Sequence, residues 1–407
     1  MRRQARLRPG FSLTELLVAS GIGLTVMAAV ATLFGVFSRS LSQSQSTVDL
    51  SSRMRATAWK LRQDLDGVTC PVVPWLSPDA NTGYFEISEG PQRDATLTYA
   101  ANAGTSNLEA DTDDVLMFTT RAPAGSFSGR YQTADKIIES PYAEVAWFCR
   151  RAATQPVNGT TVYNLYRRQL LVLGYVGLPE FSGNSIAGTV PVPAIYQTYD
   201  LSLRSEGGRL HPNTLGDLTK RENRFMHNPA AFPHAMRLDA NARLGYVEAG
   251  TQVTGTFDDT PRAWEDVILT NVVSFDVRVF DPQAKAQAGT LTPPTPTLYP
   301  GDPGYASGAG AAGAYIDLGG GQGGRLSQPA DPKSGLVAPN VPAGVTTYDT
   351  WSQHYEVGGT GLNDPAAYTR APPYPVPLEG VEVRIRCYDP TSKQVRQVSV
   401  RHTFRRP

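Results

Sequence analysis

Residues 8–40 read RPGFSLTELLVASGIGLTVMAAVATLFGVFSRS, and this stretch decides what the rest of the chain is built around. Arg2, Arg3 and Arg6 precede it and form, with Arg8, a basic cluster that contains no acidic residue. Leu16 to Phe37 then supplies 22 residues without a charge. At ~1.5 Å rise per residue, that is enough helix to cross a hydrocarbon core of ~30 Å. Ser20, Gly21, Gly23, Thr25 and Gly35 would weaken a helix in water, whereas in a membrane span small residues let helices approach closely. Cationic flanks stay cytoplasmic, so the chain beyond the span is expected outside the cytoplasm.

An ordinary secretory signal is cut after its apolar core. No A-x-A-like site follows this one, and Phe37-Ser38-Arg39-Ser40 is a poor substitute. Any cut therefore falls ahead of the apolar segment, which stays on the mature chain. Glu15 is the costly residue, because a carboxylate at membrane depth is unfavourable by roughly 2.5–3.5 kcal/mol even on the mildest scale. Cleavage behind Gly10 would place a new amine on Phe11. In a helical array, Glu15 of one subunit then meets the Phe11 amine of its neighbour, and each neutralises the other. The plainer reading sets Glu15 at the headgroup boundary, capping the helix start where acids are favoured. The Gly10–Phe11 junction just ahead favours the first reading.

The run GFSLTELLVA, Gly10 to Ala19, resembles the class III signal of type IV pilins and type II secretion pseudopilins. The resemblance covers about residues 8–40. It implies that a prepilin peptidase in the membrane cuts between Gly10 and Phe11 and N-methylates Phe11, and that Glu15 guides assembly. It further implies a lollipop-shaped α+β fold.

The residues beyond the span support that layout. Leu41, Val48, Leu50, Met54, Ala58, Leu61 and Leu65 fall mostly three, four or seven apart, as on one face of an amphipathic helix. Arg53, Arg55, Lys60, Arg62 and Asp64 occupy the other faces. No proline intervenes between Phe11 and Val68. The pattern predicts one near-continuous helix over 11–66, its membrane span at 13–37, stopped by Gly67 with Pro71 and Pro74 behind it.

Residues 67–407 read as a β-rich head. Strands are expected at Val115–Thr120, Tyr142–Cys149, Thr161–Val172, Val267–Leu269, Val272–Phe280, Val381–Tyr388 and Val395–Phe404. The second and third of these are expected to form a hairpin across Gln155 to Gly159. Val381 to Arg386 alternates strictly, which predicts a sheet with one wet face. The segments 271–281 and 378–389 also resemble the C-terminal sheet of the larger minor pilins, the J-type pseudopilins and W-type pilins. Residues 283–346 are rich in Gly, Pro and Ala and are expected to be an insertion with little core of its own, Tyr315–Leu318 being one docked strand. The charge-dense run Asp217 to Arg224, within a polar region spanning 204–228, predicts a short solvated helix.

Formal charge is balanced at 37 basic and 37 acidic residues. Loss of the four leader arginines leaves a mildly acidic body. No basic stripe marks a nucleic-acid surface, so no nucleic-acid partner is expected. The three cysteines, Cys70, Cys149 and Cys387, form no CxxC pair. Either an exported chain pairs two of them, most simply Cys70 with Cys149, or all three are small buried apolar residues. Asp111, Asp113 and Asp114 are oxygen ligands of the kind calcium takes. They lack a Gly-containing twelve-residue loop and a distal Glu, so a turn before a strand is preferred and no metal is expected. No H-E-x-x-H pattern and no G-x-S-x-G elbow is present. The letters of a Gly-rich dinucleotide loop at Gly308–Gly313 sit in low-complexity sequence. No cofactor and no enzymatic activity are expected.

From the resemblance, the chain is expected to sit in the inner membrane by a single pass and to join a type IV pilus or pseudopilus. It would do so as a minor, tip or initiating subunit, because a head of this size crowds a tightly packed fibre. Its expected partners are the prepilin peptidase, other pilins or pseudopilins, and the assembly platform. A tip adhesin and a membrane-anchored enzyme are the alternatives.

Overall fold

The computed structural model describes residues 10, 12–74, 76–90, 111–131, 133–152, 161–173, 196, 199–206, 209–227, 263–285, 287–288, 297–298, 312–319, 325–326, 346–350, 374 and 376–404. The leader arginines, Phe11, the hairpin turn at 155–159, Gly308 to Ala311 and most of the Gly/Pro-rich insertion lie outside them. The architecture is α+β: one long N-terminal helix and a β-rich head.

Helix α1 runs Leu13–Asp66, 54 residues, or roughly 81 Å at helical rise. Ser12 caps its start, and Gly67 closes its end by donating its N–H to the carbonyls of Gln63 and Asp64. The apolar first part is bare, with Leu13, Leu24, Leu33 and Phe37 all exposed. It is long and apolar enough to cross a membrane. The second part packs on the head. Met54, Ala58, Leu61 and Leu65, four, three and four apart, are buried as one stripe. Leu41 and Val48, assigned to that stripe from spacing, are instead exposed (48% and 69%). Among the described residues, the hydrogen bonding between helix and head begins at Ser46, whose hydroxyl donates to Asp389 Oδ1 (2.6 Å).

The strands in chain order are β1 Phe85–Glu89, β2 Val115–Arg121, β3 Phe127–Tyr131, β4 Thr133–Ser140, β5 Tyr142–Arg151, β6 Tyr163–Val172, β7 Leu203–Glu206, β8 Arg209–Pro212, β9 Val267–Lys285, β10 Gln287–Ala288, β11 Thr297–Leu298, β12 Ala312–Asp317, β13 Thr346–Asp349, β14 Gly380–Asp389 and β15 Gln394–Thr403. Nine form one antiparallel sheet in the order β13-β1-β2-β5-β6-β9-β14-β15, with β12 added along β9. Each expected strand is present, and β12 contains most of the docked strand expected in the insertion. The two strands expected at 267–280 are one 19-residue strand, bent at Asn271, whose φ of 57° is left-handed. The sheet's register shifts around this point.

Period-two alternation divides the side chains between two faces. Phe85, Ile87, Leu116, Phe118, Val145 and Trp147 join the cluster that receives α1. Val115, Met117, Ala146, Phe148 and Leu170 face the other way, under Leu215, Leu218, Phe225 and Met226. Those last four come from the polar region 204–228, whose run Asp217 to Arg224 reads as a solvated helix. It is instead the β7–β8 hairpin followed by two short 3-10 turns, Asp217–Thr219 and Arg221–Asn223. Its arginines are buried because the sheet beneath supplies carboxylates. Arg221 and Arg224 pair with Glu86 of β1 and Asp349 of β13 at 2.7–2.8 Å, and His227 joins at Glu86. The alternation in β14 likewise fails to give a fully wet face, because Glu382 is buried between Arg384 and Arg401.

Candidate functional site

At the helix start, the Ser12 N–H donates to Glu15 Oε2 (2.9 Å), and the Glu15 N–H donates to Ser12 Oγ (3.2 Å). This reciprocal capping box satisfies two backbone donors that a helix terminus otherwise leaves open. Thr14 extends it through a hydroxyl contact to Ser12 (3.0 Å). The capping role weighed for Glu15 is therefore present. It engages Oε2 alone, and among the described residues no basic side chain pairs with Glu15. Gly10 is exposed, and a side chain there would meet nothing. The chain around Gly10 is thus sterically open on its own side. Phe11 lies outside the described residues.

At the other end of α1, Asp64 enters the head. Asp64 was assigned to the outer faces by spacing, yet it is 2% exposed. Arg167 Nε and a terminal guanidinium nitrogen of the same residue donate to its two oxygens at 2.6 and 2.8 Å, and Trp147 Nε1 donates to Oδ2 at 3.1 Å. Trp147 and Arg167 are cross-strand partners on β5 and β6, so two adjacent strands hold one carboxylate. Thr120 Oγ1 donates to the Asp64 carbonyl (2.7 Å), and Asp66 meets His402 Nδ1 at 3.2 Å. Desolvation lowers the His402 pKa more than Asp66 raises it, so this contact is a hydrogen bond to a neutral ring at neutral pH.

The third feature lies at the end of β1 and the entry to β2. Glu89, Asp111 and Asp114 each bring a carboxylate oxygen within 4.8 Å of the other two, and all three are buried. The preferred turn is there, since 111–114 leads directly into β2, but its side chains are enclosed rather than solvated. The Val277 N–H donates to Asp114 Oδ2 (2.6 Å) and the Gly90 N–H to Oδ1 (3.4 Å). The Asp113 carboxylate lies directly over Gly90, where any Cβ would overlap it. Burial, then Asp114, Glu89 and Asp113, hold Asp111 well above the usual carboxylate range. Burial, then Asp113 and Asp276, do the same for Asp114.

The cysteines follow the second of their two readings. Cys70, Cys149 and Cys387 are buried free thiols, so Cys70 and Cys149 are not paired. Cys70 follows α1 and hydrogen-bonds Thr350, beside the β13 edge. Cys149 is on β5, three strands further in, and its neighbours are Cys387 and Asp114.

Sequence reasoning singled out the Gly10–Phe11 junction from an isolated charge in an apolar run. It did not find Glu86, Glu89 or the Asp64–Arg167 pair. The available signal for Glu89 was an acid followed at once by Gly90. No family model, curated protein or solved structure matches the chain.

Proposed function

We propose that the chain is a prepilin-like subunit, cut between Gly10 and Phe11 and held by its bare helix half until it assembles into a type IV pilus or type II secretion pseudopilus. The carrying observation is the division of α1. Its first part, with Glu15 as the only charge before Arg39, is exposed, among the described residues, along its length, whereas its second part is locked into the head. Burying a Leu or Phe is worth ~1.5–3 kcal/mol, so a row of exposed ones calls for lipid or like helices around it. Both surroundings suit the proposed life cycle, lipid before assembly and neighbouring subunits after it.

Glu15 has a role in each setting. In the membrane its capping box reduces the cost of the charge by hydrogen bonding. In the fibre the Phe11 amine of a neighbour, freed by the peptidase, supplies an opposite charge. The large head favours a minor, tip or initiating position. Mass spectrometry of the protein from its native membrane tests the reading, with a mature chain beginning at N-methylated Phe11 as the expected result. Glu15→Val is expected to be cleaved normally and to enter sheared fibres poorly. A mature chain that retains its arginine leader would overturn the proposal.

A further inference from the structure

Asp111, at the entry to β2, is the carboxylate of this cluster that its surroundings leave least satisfied. Asp111 is 1% exposed, and among the described residues its Oδ2 has no hydrogen-bond partner. Its Oδ1 has only a long contact from the Asp113 N–H, at 3.4 Å. An enclosed carboxylate oxygen left in this state forfeits solvation without return. The backbone holds it there regardless, because the Phe275 N–H donates to the Asp111 carbonyl (2.7 Å) and Val277 fixes Asp114 from the same strand. The nearby guanidinium of Arg278 is shared between Asp276 (3.0 Å) and Asp317 (3.1 Å). Arg150, also buried, follows Cys149 on β5, whose neighbours include Asp114.

We propose that Glu89, Asp111 and Asp114 ligate one hard divalent cation of the calcium class, which ties the end of β1 to the entry of β2. An all-carboxylate donor set selects a hard ion over zinc or copper. Calcium–oxygen distances of ~2.3–2.6 Å allow two ligand oxygens on one ion to lie up to ~5 Å apart, whereas magnesium at ~2.0–2.1 Å allows only ~4.2 Å. The three ligand oxygens of this triad lie within 4.8 Å of one another, inside the reach of one calcium ion. Magnesium also keeps several waters, and this site is closed over by Gly90, Asp113 and β9. Gly90 belongs to the site's construction, since its missing side chain admits the Asp113 carboxylate beside the ligands. The ion's role is to hold two parts of the sheet together, and it stands independently of the assembly reading.

The test uses the full chain in detergent micelles, stripped with chelator and titrated with calcium chloride in a calorimeter. Thermal unfolding is followed in parallel with calcium or magnesium at matched ionic strength. The expected result is saturable binding of about one calcium per chain with a raised unfolding midpoint, and a smaller shift or none with magnesium. Asp111→Asn is expected to lose both responses while remaining at least as stable as the calcium-free parent, because it removes one of several crowded charges. Glu89→Gln carries the same comparison should Asp111→Asn fail to fold. Absence of saturable binding by the parent chain, equal stabilisation by magnesium, or unchanged calcium responses in both variants would overturn the site.

Discussion

Arg167 on β6 clasps Asp64 in the last turn of α1 through two charge-assisted hydrogen bonds, 2.6 and 2.8 Å long, across 103 residues of sequence. Both partners are almost wholly enclosed. The pair sets the rotation of the helix about its axis, which in turn fixes where Leu61 and Leu65 enter the core. Lys60, at 3.9 Å from Asp64, is too distant and too exposed to replace the guanidinium.

Removing one member of this pair leaves a buried charge uncompensated. Arg167→Met is expected to destabilise the head by about 3–5 kcal/mol, measured by denaturant unfolding of the full chain in micelles. Asp64→Asn combined with Arg167→Met is expected to cost less than the sum of the two single changes. Strict additivity would show that the pair contributes nothing beyond packing.

Gly67 ends α1 at a negative φ of −90°, so backbone freedom is not what requires glycine there. The requirement is space, since a Cβ would overlap the Arg121 carbonyl and the Thr120 hydroxyl. Thr120 is the residue that bonds the Asp64 carbonyl. Gly67→Ala is expected to lower stability by about 1–3 kcal/mol through overpacking, and Thr120→Ala should relieve part of that loss. Equal melting curves for parent and Gly67→Ala would show that the helix end can shift without cost.

The head should fail in acid through Glu86. Burial favours its neutral form, but His227, Arg221 and Arg224 together outweigh burial and hold it well below the usual carboxylate range. Its folded pKa thus lies below its unfolded one. The associated stability is complete above the ordinary carboxylate value of ~4.3 and is lost as pH falls below it. Unfolding midpoints measured between neutral and strongly acidic pH should drop on that limb. Glu86→Gln should flatten the limb while lowering stability at neutral pH, and a limb of unchanged slope would acquit Glu86.

The thiols should be inert in the folded chain. Burial pushes Cys70 and Cys387 up to about 12, and burial followed by Cys387 and Asp114 also raises Cys149. The reactive thiolate is therefore scarce and shielded at neutral pH. A disulfide-exchange reagent should label none of the three cysteines under native conditions and all of them in denaturant without reductant. Labelling of only one in denaturant would reveal a disulfide after all.

The features legible in the sequence are those with a local period. The apolar run, the helix through Asp66 and the strand at Val381 to Tyr388 announce themselves by charge gaps or alternation. The features that escaped depend on partners far along the chain. Arg221 and Arg224 look solvent-bound until β1 and β13 bring Glu86 and Asp349 beneath them, 125 or more residues away. Asp64 looks like a surface charge until β5 and β6 pair. β1 itself, FEISE, contains two acids that suggest exposure, yet all five of its residues are buried. Among the missed carboxylates, Glu89 had a local cue in Gly90, but its companions Asp111 and Asp114 join it only through the fold.

Strand β9 pairs with β6 through residues 267–272, with β14 through 272–279 and with β12 through 278–285. A single spine thus serves as hinge-post for both wings of the head, bent once at Asn271. A trimmed version that stops short of it would have no scaffold on which to close. The head together with the packed half of α1 is therefore the smallest unit that selection or an engineer can move intact onto another membrane segment.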